Sequence, residues 1–426
     1  MRILLISASP INKETNIGNT FLNIIPEEIE LFSIYTKNGF PDERIKKAFF
    51  MNEKMIIDRI IGKRKCVGKL ETNRYNKNNL TRDKKSIDEK VIQIARKKRY
   101  IMMFWIQGFI WRLNVWKSKE LKEFISEINP DLIFTVFSNN IFLNRIILHI
   151  LKISQKPFVL YAWDNNYQWN KYQKSPLKWL NQYFERIYMR KIMQLAKKIY
   201  VISNIQRQDY KRIFRKECSI LTKGVDFSEN IPIKKEYNTP LQFVYTGNLG
   251  NNRWKSLAMI ADALEIINKE GIKGQLKIYT TTPLKKEMKL ALNRKQNSVI
   301  MGSVPANEIY EIQKKADVLI HVESFDYENS FLVRHSFSTK IVDYLKMARL
   351  IFVVGPRSVA SIDYFIKNNA GLVANNEKEI LENLEKIILN KSLLKEYGMK
   401  AFFSGKKNHS KKRIEDMLKK DFYEIK

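Results

Sequence analysis

Cysteine is nearly absent: the 426-residue chain carries two, Cys66 and Cys218. Two thiols exclude a disulfide-stapled scaffold and a cysteine-rich zinc site, and such sparing use fits a reducing compartment. Histidine is scarce and scattered, at His149, His321, His335 and His409, and no Asp-x-Asp triplet occurs. No metal or other cofactor is expected, and no Ser-His-Asp arrangement follows from the spacing. Acids are also short, 44 against 76 Lys and Arg, for a net charge of +32. The excess is lopsided: 43 basic residues face 22 acidic ones up to position 230, and 33 face 22 beyond it. Such a field favours nucleic acid, an anionic membrane or phosphorylated molecules; a compositional drift toward Lys, Asn and Ile is the alternative source. Long apolar runs are missing. Ile101 to Trp111 is interrupted by Gln107 and is too short to span a bilayer. Met1 to Ser7 lacks the basic and long apolar regions of a secretory signal, so a cytoplasmic location is expected.

What the chain does have is alternation. At 44% apolar residues and this length, two or three domains with real cores are expected. Met1 to Ser7 reads as a buried strand, followed by a loop with Gly18 and Asn19 and a helical segment from Phe21 to Ile25. Strand and helix patterns then alternate through the strands Leu132 to Val136, Phe158 to Ala162 and Lys198 to Ile202, with a long helix from Trp179 to Ala196. A basic, Asn-rich stretch at about 62–119 reads as an insertion. Polar residues 227–239, with Pro232, read as a linker. A second series follows, with strands at Gln242 to Thr246, Gln275 to Thr280, Ser298 to Met301, Val318 to Val322 and Leu350 to Val354. The expected fold class is α/β: two doubly wound parallel-sheet domains, Rossmann-like, facing across a cleft. Their limits are 1–226 and 240–405, and a helical tail, 406–426, is a candidate to pack back on the first domain.

Three turns carry residues suited to an anionic ligand. Tyr245-Thr246-Gly247-Asn248-Leu249-Gly250 places Gly247 and Asn248 at a strand end, where glycine lets a backbone approach a ligand. Arg253 and Lys255 follow and are suited to neutralise a diphosphate. Gly302 and Val304 form a second turn, suited to read a nucleobase edge through its backbone. The third is the most informative. Ser338-Thr339-Lys340 opens a helix with hydroxyls and a cation, and Asp343 sits one turn inside it. Free N–H groups and the helix dipole at such a start attract phosphate, and the acid suits sugar hydroxyls. Each also has a plain reading: a tight turn, an N-cap or a helix-surface pair.

Taken in order over about residues 197–400, these motifs resemble the nucleotide-sugar glycosyltransferases of the GT-B fold, especially the large bacterial retaining family. Ala316-Asp317-Val318-Leu319-Ile320 and Gly371-Leu372-Val373 fit the same pattern. The resemblance implies a nucleotide-diphosphate sugar held by the second domain and a glycan or lipid-linked acceptor held by the first, with retention of anomeric configuration. That family commonly has two acids eight positions apart; here the later matches Asp343, implying a ribose contact, and the earlier is His335, not Glu. Glu323 and Glu328 are candidate replacements for the missing acid. In the first half Asp164, at a strand end, is the candidate for acceptor binding or general base work, with an Asx-turn as its plain reading. Gly18 is placed near the leaving diphosphate.

Ile101 to Trp116 is aromatic and flanked by cations, which suits a bilayer interface; a helix packed into the first domain's core is the other reading. Two functional alternatives stay open. One is a catalytically inactive GT-B scaffold, favoured by His335; the other is a basic nucleic-acid-binding protein, against which stands the lack of a nucleic-acid motif.

Overall fold

A computed structural model of the chain describes residues 1–13, 15–72, 101–169 and 175–426. Two sheets organise it. The first has the order β4-β3-β2-β1-β5-β6-β7-β8, in which β1 is Arg2–Ser7, β2 Glu30–Tyr35, β3 Ile45–Phe50, β4 Lys69–Thr72, β5 Leu132–Val136, β6 Phe158–Ala162, β7 Lys198–Val201 and β8 Ser219–Ile220. All its pairings are parallel except β3 with β4. The second runs β11-β10-β9-β12-β13-β14, wholly parallel, with β9 Leu241–Thr246, β10 Gly274–Tyr279, β11 Ser298–Gly302, β12 Val318–Val322, β13 Leu350–Val354 and β14 Leu372–Ala374.

Strands buried on both faces need continuous apolar runs rather than alternation, and β1 and β13 show it. Leu4 and Ile6 face one core of the first domain, Ile3 and Leu5 the other. Leu350, Phe352 and Val354 face one core of the second domain, Ile351 and Val353 the other. Helices cover both faces. Those used below are α1 (Asn16–Phe21), α2 (Glu53–Ile60), α3 (Ile101–Arg112), α4 (Lys119–Ile128), α5 (Ile141–Ser154), α6 (Pro176–Leu195), α7 (Asn204–Phe214), α8 (Arg253–Ile267), α9 (Lys286–Leu292), α10 (Ala306–Lys315), α11 (Tyr327–Leu332), α12 (Thr339–Lys346), α13 (Ala360–Asn368), α14 (Glu377–Leu389), α15 (Ser392–His409) and α16 (Lys411–Ile425).

The chain crosses between the domains twice, and the crossings bond to each other. Val225 N donates to His409 O at 2.9 Å, and Lys411 N donates to Val225 O at 3.0 Å. Beyond the second crossing, α16 lies on the first domain, where Ile414, Leu418 and Phe422 join the core behind β1 and β2. Tyr200 donates to Asp421 at 2.6 Å, and Lys198 pairs with the same carboxylate at 2.8 Å.

Some local expectations shift. The first helix is Asn16–Phe21 rather than Phe21 to Ile25, because Thr15 caps it by accepting from Gly18 N. Strands β2 and β3 lie where no strand is read from sequence. Of the expected insertion, β4, α3 and the start of α4 are regular structure against the first sheet's core; residues 73–100 lie outside the described ones. Ile101 to Trp116 divides its apolar residues: Trp111 and Trp116 are buried, while Trp105 is 45% and Phe109 63% exposed.

Candidate active site

In an open parallel sheet, ligands gather outside the carboxyl ends of strands where the strand order reverses. The second sheet reverses between β9 and β12. Their carboxyl ends, Tyr245-Thr246 and Ile320 to Glu323, form the floor of a cleft of about 440 Å³. The first domain closes it with Thr20, Trp163, Asp164 and Ile202, and the start of α12 supplies Ser338, Thr339 and Lys340.

The α12 terminus is open. Ser338 is the N-cap, with φ −67° and ψ 129°, and its side chain makes no capping bond. Ile341 N turns back to Ser338 O at 3.0 Å, which leaves the Thr339 and Lys340 amides at the helix start as the donors an anion there would use. Lys340 Nζ donates to Thr246 O at 3.0 Å and lies 5.6 Å from the Tyr245 ring. Burial, helped by nearby Arg253, pushes the Lys340 ammonium down to about 8. Gly247 makes room for it: a Cβ there would stand 2.1 Å from Nζ.

Arg253 opens α8 and turns back to the floor. Its Nε donates to Glu323 Oε2 at 2.9 Å, one terminal nitrogen to Oε1 at 3.1 Å, and the other to Asn248 Oδ1 at 3.0 Å. Glu323 is buried, and burial raises its carboxyl while Arg253 opposes the rise. His321, also buried, is pushed down to about 3 by burial and so stays neutral. Among the described residues its Nε2 has no hydrogen-bond partner, and the side chain lies in the cleft wall.

A second cavity of about 570 Å³ adjoins the cleft and shares Thr246, Asn248 and Lys340 with it. Ser303 and Val304 line one side, Asp343 another. Gly302 bends into this wall at φ +83°, a left-handed conformation that favours glycine. Asp343 is not free: Lys223, in the first crossing, donates to its Oδ1 at 2.7 Å.

Sequence-read residues therefore converge unevenly. Asn248, Arg253, Ser338, Thr339, Lys340 and Asp164 line the cleft; Gly247, Val304 and Asp343 line its extension, with Gly302 at the turn leading in. Asp164 Oδ1 accepts from Ser336 Oγ at 2.9 Å and from Asn165 N at 2.8 Å, so it bridges the domains at the cleft wall. Gly18 is packed against the Asn12 carbonyl, 1.8 Å from where its Cβ would stand, and Thr20 reaches the cleft instead. Three residues fall elsewhere. Lys255 is exposed on α8, 5.8 Å from the Trp254 ring, because its position on the helix turns it outward. His335 is fully buried beside α7, with Nε2 2.8 Å from Asp209 Oδ2 and 3.1 Å from Gln168 Nε2. Glu328 is exposed in α11. Thr20 and Ile202 were not read as site residues from the sequence, whereas Trp163 belongs to the strand-end segment read with Asp164, and His321 opens the loop expected to border the cleft.

No family model matches the chain, and no curated sequence does. Solved structures do. Sucrose-phosphate synthase from Thermosynechococcus elongatus superposes with a TM-score of 0.62 at 10% identity, over 100% of this chain and 98% of that one. HepE from Anabaena, in complex with UDP, gives 0.63 at 10% identity over the whole of both chains. The fold is GT-B. A third GT-B protein, E. coli trehalose-6-phosphate synthase bound with UDP-2-fluoro glucose, gives 0.62 at 8% identity, again over both whole chains.

Proposed function

We propose that this GT-B chain is a glycosyltransferase that moves a sugar from a nucleotide-diphosphate donor to a glycan or lipid-linked acceptor. The observation that carries the reading is one shared wall. Lys340 belongs to both the cleft and its extension, beside the uncapped α12 terminus and Arg253. A diphosphate at that wall meets two cations and the amides of Thr339 and Lys340. Its nucleoside extends toward Ser303, Val304 and Asp343, and its sugar toward His321, Glu323 and Asp164.

The chemistry follows from those positions. As the bond between the anomeric carbon and the diphosphate breaks, negative charge grows on the leaving oxygen. Arg253, Lys340 and the α12 amides are already oriented to receive it. Asp164 accepts hydrogen bonds at the opposite wall and is placed to orient or deprotonate the acceptor hydroxyl. Closing the domains over the cleft excludes water that would otherwise compete for the sugar. His335 holds the Asp209 carboxylate, so the acid role moves to Glu323, whose charge offsets Arg253 until a diphosphate arrives. The named complexes support the donor class: HepE is described with UDP and with UDP-glucose.

The test is calorimetric titration of the full chain with UDP and GDP. Micromolar binding of one, lost in Lys340→Gln, supports the reading. Tight, salt-sensitive binding of RNA or DNA with no diphosphate affinity supports the nucleic-acid alternative. Nucleotide binding without turnover of the corresponding sugar nucleotide supports the inactive scaffold.

For the acceptor side we read the exposed face of α3 as a seat on an anionic membrane. Trp105, Ile106 and Phe109 are exposed there, and Arg112 and Lys117 follow. Among the described residues no helix is long and apolar enough to cross a membrane, so the association proposed is peripheral.

A further inference from the structure

Beside the cleft, on the seam between the domains, lies a groove of about 640 Å³. Four arginines line it: Arg186 and Arg190 from α6, Arg212 from α7 and Arg334 from the segment before α12. One carboxylate, Asp209, faces them. Its Oδ1 accepts from Arg212 at 3.0 Å, and its Oδ2 accepts from Arg334 Nε at 3.3 Å and lies 2.8 Å from His335 Nε2. Among the described residues Arg186 and Arg190 have no acidic partner. They rest on Tyr167: its carbonyl accepts from Arg186, and its hydroxyl accepts from Arg190 Nε at 2.7 Å. The Arg186 guanidinium stacks 4.0 Å over the Tyr167 ring, and Trp169 extends the wall.

Four guanidiniums against one carboxylate leave about three positive charges unmatched, counting each arginine as charged. That number selects among anions. A uronate or other carboxylate supplies one negative charge. A phosphate monoester supplies about 1.5 to 2 near neutral pH, and a diphosphate at least as much. Guanidinium forks also match phosphate oxygens two at a time. The groove is next to the reaction site. Arg334 lines it and Ser336 lines the cleft, and two residues of chain place their Cα atoms within about 7 Å. Gln168 and Asp164 are divided the same way on the first domain.

We infer that this groove holds a phosphate or diphosphate carried by the acceptor, fixing the acceptor so that its hydroxyl reaches Asp164. This rests on the transferase reading above. It narrows the acceptor to phosphorylated molecules and gives His335 a positioning role, as the residue that holds Asp209 between the arginines. The phosphate has two possible carriers, a sugar phosphate or a lipid diphosphate.

The experiment uses the full chain saturated with UDP, so that the donor cleft is blocked. Glucose 1-phosphate and, separately, farnesyl diphosphate are titrated in by calorimetry. At least one binds, and the double variant Arg190→Gln/Arg212→Gln weakens it at least tenfold, with UDP affinity unchanged. The single variant Arg334→Gln weakens it in the same direction, which covers the case of a double variant that does not fold. Lys289→Gln, a distant surface change on α9, leaves it unaltered. Tighter glucose 1-phosphate binding assigns a sugar carrier; tighter farnesyl diphosphate binding assigns a lipid one. Failure of both probes to bind, or equal losses in Lys289→Gln and the arginine variants, overturns the proposal. Should UDP itself not bind, the transferase reading falls separately, and the same titrations on the unloaded chain still decide the groove.

Discussion

Lys223 and Asp343 join the interdomain crossing to the second domain, Nζ to Oδ1 at 2.7 Å. Asp343 lines the extension of the cleft, so a ribose that uses it has to share it with Lys223. About a third of the Asp343 side chain is exposed, and an ion pair so placed contributes about 1 kcal/mol or less. The two residues therefore separate cleanly in binding. Asp343→Ala is expected to weaken UDP or GDP binding about tenfold, the worth of one charge-assisted hydrogen bond at roughly 1.5 kcal/mol. Lys223→Met is expected to leave it unchanged or strengthen it, because the carboxylate is released. Calorimetry on both variants checks this, and equal weakening by both contradicts a ribose role for Asp343.

Lys340 gives the site a pH dependence. Its ammonium titrates at about 8 in the free protein. A diphosphate beside it favours the charged form, so nucleotide binding takes up a proton above that pH. Affinity is expected to hold steady below pH 7 and to fall by up to tenfold per unit above about 8, until the pKa of the bound form is reached. The stability contribution has the opposite slope. The folded pKa lies below the unfolded value of 10.5, so between about 8 and 10.5 the unfolded chain binds more protons, and this group's contribution to stability rises with pH. Lys340→Met is expected to flatten both profiles, measured by titration in buffers of different ionisation enthalpy and by denaturant melts from pH 7 to 10.

Arg253, half-buried, and Glu323, buried, are doubly bonded. Removing one partner leaves the other charge uncompensated, at a cost of roughly 3 kcal/mol. Glu323→Gln is thus expected to lower the melting temperature by several degrees. It also frees Arg253, so diphosphate affinity is expected to stay the same or increase. A variant that loses UDP affinity as much as stability would place Glu323 in direct contact with the diphosphate rather than behind Arg253 on the sugar side.

Much of this arrangement was legible in the residues. The strands β9, β12 and β13 and the start of α12 announce themselves because buried parallel strands read as largely apolar runs, interrupted here by Gln242 and His321, and helix starts carry hydroxyls. Ser338, Thr339, Lys340 and Arg253 could be placed from that order alone. His335 and Lys255 could not. Whether a His beside a helix start points into a cleft depends on what the other domain presents, and here α7 presents Asp209 and removes it from the cleft. The face of α8 that carries Lys255 is set by where the helix begins, Arg253, four residues earlier than the apolar pattern begins at Leu257. The arginine groove was invisible for the same reason: its four residues come from three separate segments.

The exposed face of α3 predicts membrane attachment. With Trp105 and Phe109 replaced by Ser, co-sedimentation with phosphatidylglycerol vesicles is expected to fall severalfold, and binding to phosphatidylcholine vesicles is expected to be weak throughout. Equal partition of the original chain and the variant would assign those side chains to another partner.

The most direct test of the account is a structure of the full chain crystallised with UDP. The diphosphate is predicted to lie between Arg253, Lys340 and the first-turn amides of α12, with the ribose at Asp343. A diphosphate found away from Lys340, on the outer face of either domain, would contradict it.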